Sequence, residues 1–240
     1  MGATTTTAQP AWAAGATDRS RLRASGYAAV GAGFLYVAAT AAGSVLDPSY
    51  SQIRQHVSDL TATGASTWAP LAPFYIAYNV LVMACGIGLY ATSARTRLWK
   101  LGAALMVVNA LAGVLMVTLF REDLGGIPTT AAGAGHLVFA GVSSLTIVLA
   151  AVVYGLAFRR SALWRPLGVF SFATAICFAT LGPLAAVATA GGSELAGLAE
   201  RGPIGLFLLW LLVVGAHAVL KARRHRPDAA QLPPKSRQDR

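Results

Sequence analysis

The sequence predicts an all-α fold that crosses a membrane six times. Charged residues make up only 12% of the chain, about half the share found in a soluble domain. The chain is 55% hydrophobic, with a mean hydropathy of +0.58. Six stretches contain no Asp, Glu, Lys or Arg: 24–46, 60–94, 101–120, 124–158, 166–193 and 202–220. Because about 20 apolar residues cross a bilayer as a helix, each stretch is long enough for one span. These observations exclude a soluble enzyme, a secreted disulfide scaffold and a disordered chain.

The boundaries of the six helices follow from the charges and from turn-forming residues. Basic residues precede Ala24 and make the first span an uncleaved anchor. The polar segment 61–67 separates the first loop from the second helix, and Gly125, Gly126 and Pro128 break the chain before the fourth. The predicted spans are 24–46, 70–93, 101–120, 131–158, 166–190 and 203–220.

Both ends of the chain are predicted to be disordered cytoplasmic segments. Residues 1–23 are rich in Thr and Ala and lack an apolar core of signal-peptide length. The tail 221–240 holds seven basic residues, two acids and three prolines. This composition favours disorder and contact with anionic lipid. No aromatic residue interleaves the charges, so the expected partner is the lipid bilayer and not nucleic acid.

The basic residues also predict the orientation of the spans. The segments outside the spans carry, in order, 3, 1, 3, 1, 3, 1 and 7 Lys or Arg residues. Basic residues in short loops stay in the cytoplasm, so both termini are predicted to face inward and the first, third and fifth loops outward. These outward loops carry six of the nine acids. The excess of Arg over Lys, with the high Ala content, indicates a bacterial protein of the inner membrane.

The outward loops carry the polar side chains that chemistry would need. Loops at one end of a bundle lie near one another, so we expect their side chains to share a polar, outward-facing vestibule. Ser58 is either a catalytic candidate or a helix cap. Tyr50, Ser51 and Arg121 are expected to support the vestibule. The remaining vestibule candidates are His56, Asp59, Asp123, His136, Glu200 and Arg201.

Three interpretations of the vestibule stay open. His and carboxylate side chains bind zinc, and a metal-bound water could attack a lipid ester or amide. The metal-ligand candidates are His56, Asp59, Asp123 and His136, and the catalytic candidates are His136, Asp123, Ser58 and Asp59. In a second interpretation, Asp123 and His136 relay protons or substrate in a small-substrate carrier. The third interpretation, which the sequence favours, is a structural role or the binding of a partner or ligand. In the structural role, Asp59 or Asp123 would form an ion pair with Arg121 or Arg201.

Two motifs resemble those of a known family. In the first loop the matching residues are Tyr50, Ser51, Val57, Ser58, Asp59 and Leu60. They align with a Tyr-Ser-His start and an Ile-Ser-Glu-Leu-Gly end in the family catalogued as domain of unknown function 998. The departures are Gln52 for the family's His, Arg54 for its Ser and Asp59 for its Glu.

The second motif resembles Phe-Pro-x-Asp followed by a His that opens the next helix. The matching residues are Phe120, Asp123 and His136, and Arg121 stands in place of the proline. The last span also resembles the family at Arg201 and Trp210. The resemblance covers about 27–220 and implies a shared six-span fold, an unassigned activity and no cofactor. Since Gln52 replaces the motif His, His56 one helical turn later is only a partial substitute as a ligand.

Overall fold

The computed structural model describes the backbone of residues 11–93 and 95–224 and the side chains of 18–93 and 95–223. The described chain is all-helical, with α1 (Ala11–Leu46), α2 (Trp68–Thr92), α3 (Arg97–Thr118), α4 (Ala131–Arg159), α5 (Leu167–Ala190), α6 (Ala196–Arg224) and one 3-10 turn (Ser58–Thr61). Six helices are long and apolar enough to cross a membrane, which confirms the predicted fold class. We call the end of the bundle with the first, third and fifth loops the acidic end, and the opposite end the basic end.

The predicted boundaries differ from the structure chiefly at α1 and α6. Helix α1 begins at Ala11, so the predicted disorder of 1–23 is wrong for residues 11–23, where Ala and Arg have high helix propensity. Helix α6 begins at Ala196, before Pro203. It extends there because two of its first N–H groups donate to carbonyls of the first loop. The disorder predicted for 1–10 and 225–240 lies outside the described residues.

The six helices form a closed ring in sequence order. Each helix packs against its neighbours along the chain, and α6 returns to pack against α1. The closing contact is close, because a Cβ atom on Gly26 would lie 2.6 Å from the carbonyl oxygen of Gly215. Small residues at such positions allow membrane helices to approach one another. Any space along the axis of the ring must then be filled by side chains or by another molecule.

Aromatic side chains fill the ring toward the basic end. Trp99 makes edge-on contacts with Tyr154 and Phe158. Trp164 stacks on Phe158 with 5.1 Å between the ring centroids, and Trp210 packs against Tyr154. All five side chains are buried. This half of the ring is a packed core.

The first loop, residues 47–67, folds over the acidic end and forms a lid. Val57, Leu60 and Ala62 of the lid are buried, and Leu60 packs against the backbone of Gly43 in α1. The N–H of Thr63 donates to the carbonyl of Glu122, at 2.8 Å, and so joins the lid to the third loop. Four of the polar residues that we expected in an outward-facing vestibule are therefore buried: His56, Asp59, Asp123 and His136.

Candidate functional site

A set of buried and half-buried polar side chains lies where the lid meets the acidic end of the bundle. We call it the polar cluster, and its members are His56 and Asp59 of the lid, Glu122 of the third loop and Glu200 of α6. His56, Asp59 and Glu122 are only 6%, 4% and 6% exposed. Glu200 accepts hydrogen bonds from the N–H of Val57 at 2.5 Å and from the Ser58 hydroxyl at 3.3 Å. The cluster thus joins three segments that are distant in sequence.

Two backbone amides fix the carboxylate of Asp59. Its Oδ2 accepts from the N–H of His56 at 2.9 Å, and its Oδ1 accepts from the N–H of Gly125 at 2.9 Å. These bonds tie the lid to the third loop. Each carboxylate oxygen can accept more than one hydrogen bond, so both keep electron pairs for a further partner.

The hydrogen bonds around His56 assign its tautomer. The Thr189 hydroxyl donates to the carbonyl of Ala185 at 3.0 Å, so it acts as acceptor toward His56 Nε2, which lies 2.9 Å away. Nε2 therefore carries a hydrogen, and in the neutral ring Nδ1 holds a lone pair. Nδ1 is buried without a hydrogen-bond partner and lies 3.7 Å from Asp59 Oδ2.

Glu122 is the member of the cluster that the sequence analysis missed. Its Oε2 is buried without a hydrogen-bond partner. Burial raises the pKa of the Glu122 carboxyl to about 8, the nearby Ser58 hydroxyl lowers it in part, and the negative charges of Glu200 and Asp59 raise it further. One ligand atom each from Glu122, His56 and Asp59 lies within 4.8 Å of the others, so these three residues could hold a metal ion.

Arg201 holds the lid in place through neutral acceptors. Its Nε donates to Gln52 Oε1 at 2.9 Å, and one terminal nitrogen donates to the carbonyl of Gln55 at 2.9 Å. The other terminal nitrogen donates to the Tyr50 hydroxyl, which itself donates to the carbonyl of His56 at 2.8 Å. Burial raises the pKa of Tyr50 to about 12, despite the opposing charge and hydrogen bond of Arg201, so the hydroxyl keeps its proton.

The ion pairs that we expected between Asp59 or Asp123 and Arg121 or Arg201 are wrong. The Arg121 guanidinium lies over the Trp68 ring, 4.7 Å from its centroid. Among the described residues, the ion pair found instead joins Arg54 to Glu194 at an exposed site. His56 Nδ1 lies 3.7 Å from Asp59 Oδ2, and these two would form an ion pair only if His56 were protonated. Apart from the exposed Arg54–Glu194 pair, hydrogen bonds to neutral groups therefore connect the acidic-end loops.

Asp123 points away from the polar cluster, contrary to its predicted role as a metal ligand or catalytic group. Its carboxylate accepts from the backbone N–H groups of Thr129 and Thr130, at 2.6 and 2.8 Å, and from both hydroxyls. The bond from the Thr129 N–H is the largest cause of a lowered pKa at Asp123. Thr130 in turn caps the start of α4. Asp123 thus orders the third loop.

The other candidates have mainly positioning contacts. His136 donates from Nδ1 to the carbonyl of Phe120 at 2.9 Å and lines the space below the cluster. The Ser58 hydroxyl binds Glu200 and does not cap the 3-10 turn. The hydroxyl of Ser51 accepts from the N–H of Arg54 within the lid. None of these side chains belongs to the three-residue group that could hold a metal.

A large cavity extends from the polar cluster into the ring. Its volume is about 1000 Å³, at the upper end of the range for small-molecule pockets. His56, Glu122 and Glu200 line its acidic end, and Ile147, Phe178 and Phe207 line it deeper in the ring. At 1.5 Å per helical residue the cavity reaches roughly 15–25 Å from the acidic end. The acidic end of the cavity is thus polar, and the deeper part is mainly apolar, with the polar side chains Asn79, Asn109, Ser143 and Ser144 among its lining.

Exposed lining residues on α4 and α5 indicate that the cavity opens sideways between these two helices. On α4 the exposed lining residues are Leu137, Gly141 and Leu145, and on α5 they are Ala179, Pro183, Ala186 and Ala190. Each set follows a spacing of three or four residues and so forms one stripe on its helix. A Cβ atom on Gly141 would meet no atom within 4 Å. The other exposed lining residues, Ile127 and Pro128, lie in the loop that leads into α4.

Comparison with known proteins gives one family match. A family model described as protein of unknown function (DUF998) matches residues 30–217. No curated protein and no solved structure gives a significant match to the chain. The matched residues include the lid, the polar cluster and all residues that line the cavity.

Proposed function

The chain belongs to the DUF998 family of proteins of unknown function, and we propose that this member binds a membrane lipid in its interhelical cavity. The observation that carries the proposal is the opening between α4 and α5, because it connects the cavity to the side of the bundle. In a membrane-spanning bundle that side faces lipid. A lipid can therefore reach the cavity without crossing the lid.

The lining of the cavity matches the two parts of a lipid molecule. Apolar side chains such as Ile147, Phe178 and Phe207 surround the deep part, where an acyl chain would bury its surface. The polar cluster and His136 line the acidic end, where a head group would find hydrogen-bonding partners. We therefore assign the acyl chain to the deep part and the head group to the acidic end.

The Gly141 position allows a direct test of the opening. A Gly141→Trp side chain would occupy the gap between α4 and α5 without displacing a core atom, because the glycine faces open space. We expect this variant to weaken lipid binding about tenfold or more, equivalent to about 1.4 kcal/mol. The measurement is crosslinking of a phospholipid with a photoreactive group in its acyl chain to purified protein in nanodiscs.

Gly205→Trp is the matched control for this experiment. Gly205 is an exposed glycine of α6 that also meets no atom within 4 Å and does not line the cavity. We expect it to leave crosslinking at the wild-type level, with crosslinked peptides from α4, α5 and α6. Equal crosslinking in the Gly141→Trp and Gly205→Trp proteins would refute lipid binding in the cavity. Crosslinks confined to the outer, lipid-facing surface of the helix bundle would refute it as well.

A metal-assisted lipid hydrolase is the second candidate, because a group of possible metal ligands lies beside the same cavity. A metal-bound water could add to the carbonyl of a lipid ester, with the alcohol as the leaving group and a fatty acid as product. The test is release of a labelled fatty acid from an ester lipid by wild-type protein and its loss in Asp59→Asn. An ester lipid recovered intact after long incubation would exclude hydrolysis and leave binding as the function.

A further inference from the structure

The polar cluster contains two buried side-chain atoms that have no bonding partner. His56 Nδ1 and Glu122 Oε2 both lack a hydrogen-bond partner, although each residue is more than nine-tenths buried. His56 Nδ1 is an acceptor, since Nε2 carries the ring hydrogen, and Glu122 Oε2 is an acceptor when the carboxyl group is ionised. Buried polar atoms without a partner cost free energy, so a partner that meets both atoms would stabilise the cluster.

We propose that His56, Asp59 and Glu122 bind a divalent transition-metal ion, with His56 Nδ1 and one oxygen of each carboxylate as ligands. One possible ligand atom from each residue lies within 4.8 Å of the others, and His56 Nδ1 lies 3.7 Å from Asp59 Oδ2; a single ion can bridge such separations. The site does not depend on lipid in the cavity.

A proton on His56 is the simpler alternative, and it explains less of the cluster. A proton on Nδ1 would make an ion pair with Asp59, whose Oδ2 lies 3.7 Å away. It would leave Glu122 Oε2 without a partner. A metal ion shared by the three residues would provide a partner for both His56 Nδ1 and Glu122 Oε2. It would also explain why the carboxylates of Asp59 and Glu122 lie close together.

The surroundings of the three ligands resemble the second layer of a metal site. A metal-bound His usually donates its other ring N–H to a neighbouring acceptor, as His56 does to Thr189. Bound carboxylates are themselves usually hydrogen-bonded, as Asp59 is to the amides of His56 and Gly125. These bonds orient both side chains before any ion arrives.

The local charge also favours a cation. Asp59, Glu122 and Glu200 place three carboxylates in one buried region, and none of them lies within 4 Å of a Lys or Arg nitrogen in the described part of the chain. Arg201 donates to neutral acceptors instead. A divalent ion would offset the negative charge that these groups carry in their ionised form. One imidazole nitrogen and two carboxylates are typical ligands of zinc, whereas magnesium prefers oxygen alone.

Zinc retention by the purified full-length protein tests the proposal. The protein in detergent is stripped with a chelator, incubated with zinc chloride, desalted and measured by mass spectrometry for metal content. We expect about one zinc ion per chain in the wild type and no comparable retention of magnesium. Glu122→Gln should lower the zinc affinity about tenfold or more. Glu194→Gln, which alters an exposed carboxylate paired with Arg54, should retain zinc.

Thermal unfolding separates loss of the site from loss of the fold. Because Glu122 Oε2 makes no hydrogen bond, Glu122→Gln should unfold at or above the wild-type temperature without zinc. Added zinc should raise the unfolding temperature of the wild type and not that of the variant. His56→Gln is the second variant and should also lose zinc. A wild type that retains no zinc, or a Glu122→Gln protein that retains as much as Glu194→Gln, would overturn the metal site and leave lipid binding untouched.

Discussion

At the scale of single residues, the neighbours Glu122 and Asp123 have different roles. The Glu122 carboxylate turns into the polar cluster, while the Asp123 carboxylate turns toward Thr129 and Thr130 at the start of α4. Side chains of consecutive residues in a turn point in different directions. The sequence places both acids at the acidic end, but only the backbone conformation decides which of them meets His56.

Asp123→Asn should lower the stability of the protein and leave zinc retention unchanged. The asparagine keeps only one acceptor atom for the N–H and hydroxyl groups of Thr129 and Thr130. We expect a cost of about 1–3 kcal/mol for the unsatisfied groups, measured as a lower unfolding temperature in detergent. Asp47→Asn, which alters an exposed contact with Ser49, is the control. Equal unfolding temperatures in the two variants would contradict the role of Asp123.

The adjacent glycines Gly125 and Gly126 should respond differently to alanine. Both have positive φ, at 85° and 78°, so each substitution carries a backbone cost of about 1 kcal/mol. A Cβ at Gly125 meets no atom within 4 Å, whereas one at Gly126 would lie 2.7 Å from His56 Cε1. Gly126→Ala should therefore also displace His56 and reduce zinc retention, measured against Gly125→Ala. Similar zinc retention in both variants would show that His56 does not need this close approach.

At the scale of elements, the lid depends on α6 more than on its own conformation. Arg201 donates to Gln52, Tyr50 and the carbonyl of Gln55, and Glu200 accepts from Val57. The lid contains only one short 3-10 turn. Its order therefore comes from contacts with a helix that lies about 150 residues away in sequence, which local sequence patterns do not contain.

Arg201→Lys should loosen the lid without removing its positive charge. A lysine cannot reproduce the several donors of the guanidinium, and each hydrogen bond to a charged group contributes about 1.5–3 kcal/mol. We expect faster hydrogen exchange in residues 50–57, measured by mass spectrometry. Arg54→Lys is the control, because its ion pair with Glu194 is exposed and contributes little. Equal exchange rates in the two variants would contradict the anchoring role of Arg201.

At the scale of the whole molecule, the ring has a packed half and a hollow half. Aromatic side chains fill the basic end, and the cavity occupies the acidic end. The lid closes the axial exit, so the opening between α4 and α5 is the access that the proposed lipid would use. The polar cluster lies where the lid, the third loop and α6 meet, at one end of that cavity.

The orientation of the molecule in the membrane stays a prediction from the Lys and Arg distribution. A membrane-impermeant maleimide applied to intact cells should label Ser193→Cys in the fifth loop and not Thr96→Cys in the second loop, because basic loops stay in the cytoplasm. Both positions are exposed. Cys177 is also exposed and should first be replaced by serine. Labelling of Thr96→Cys without labelling of Ser193→Cys would reverse the predicted orientation.

The sequence by itself determined the class of the protein and the number of its helices. Apolar length and charge are local properties, so the spans 131–158 and 166–190 were predicted to within one residue of α4 and α5. The two motifs also pointed to the correct family. The sequence also predicted the end of the bundle that holds the candidate site, because the first, third and fifth loops lie at the same end of an up-and-down bundle.

Only the tertiary structure decided which polar residues meet and what they face. Three features depend on contacts between segments that are distant in sequence. Glu122, and not Asp123, joins the polar cluster; His56 is buried; and Arg201 forms hydrogen bonds to the lid in place of the expected ion pairs. The early start of α6 has the same cause, since its first N–H groups bind carbonyls of the lid. Such contacts depend on the order of the helices around the ring and on the path of the lid. Hydropathy and residue spacing describe single segments, so they contain no information on the order of the helices or on the path of the lid.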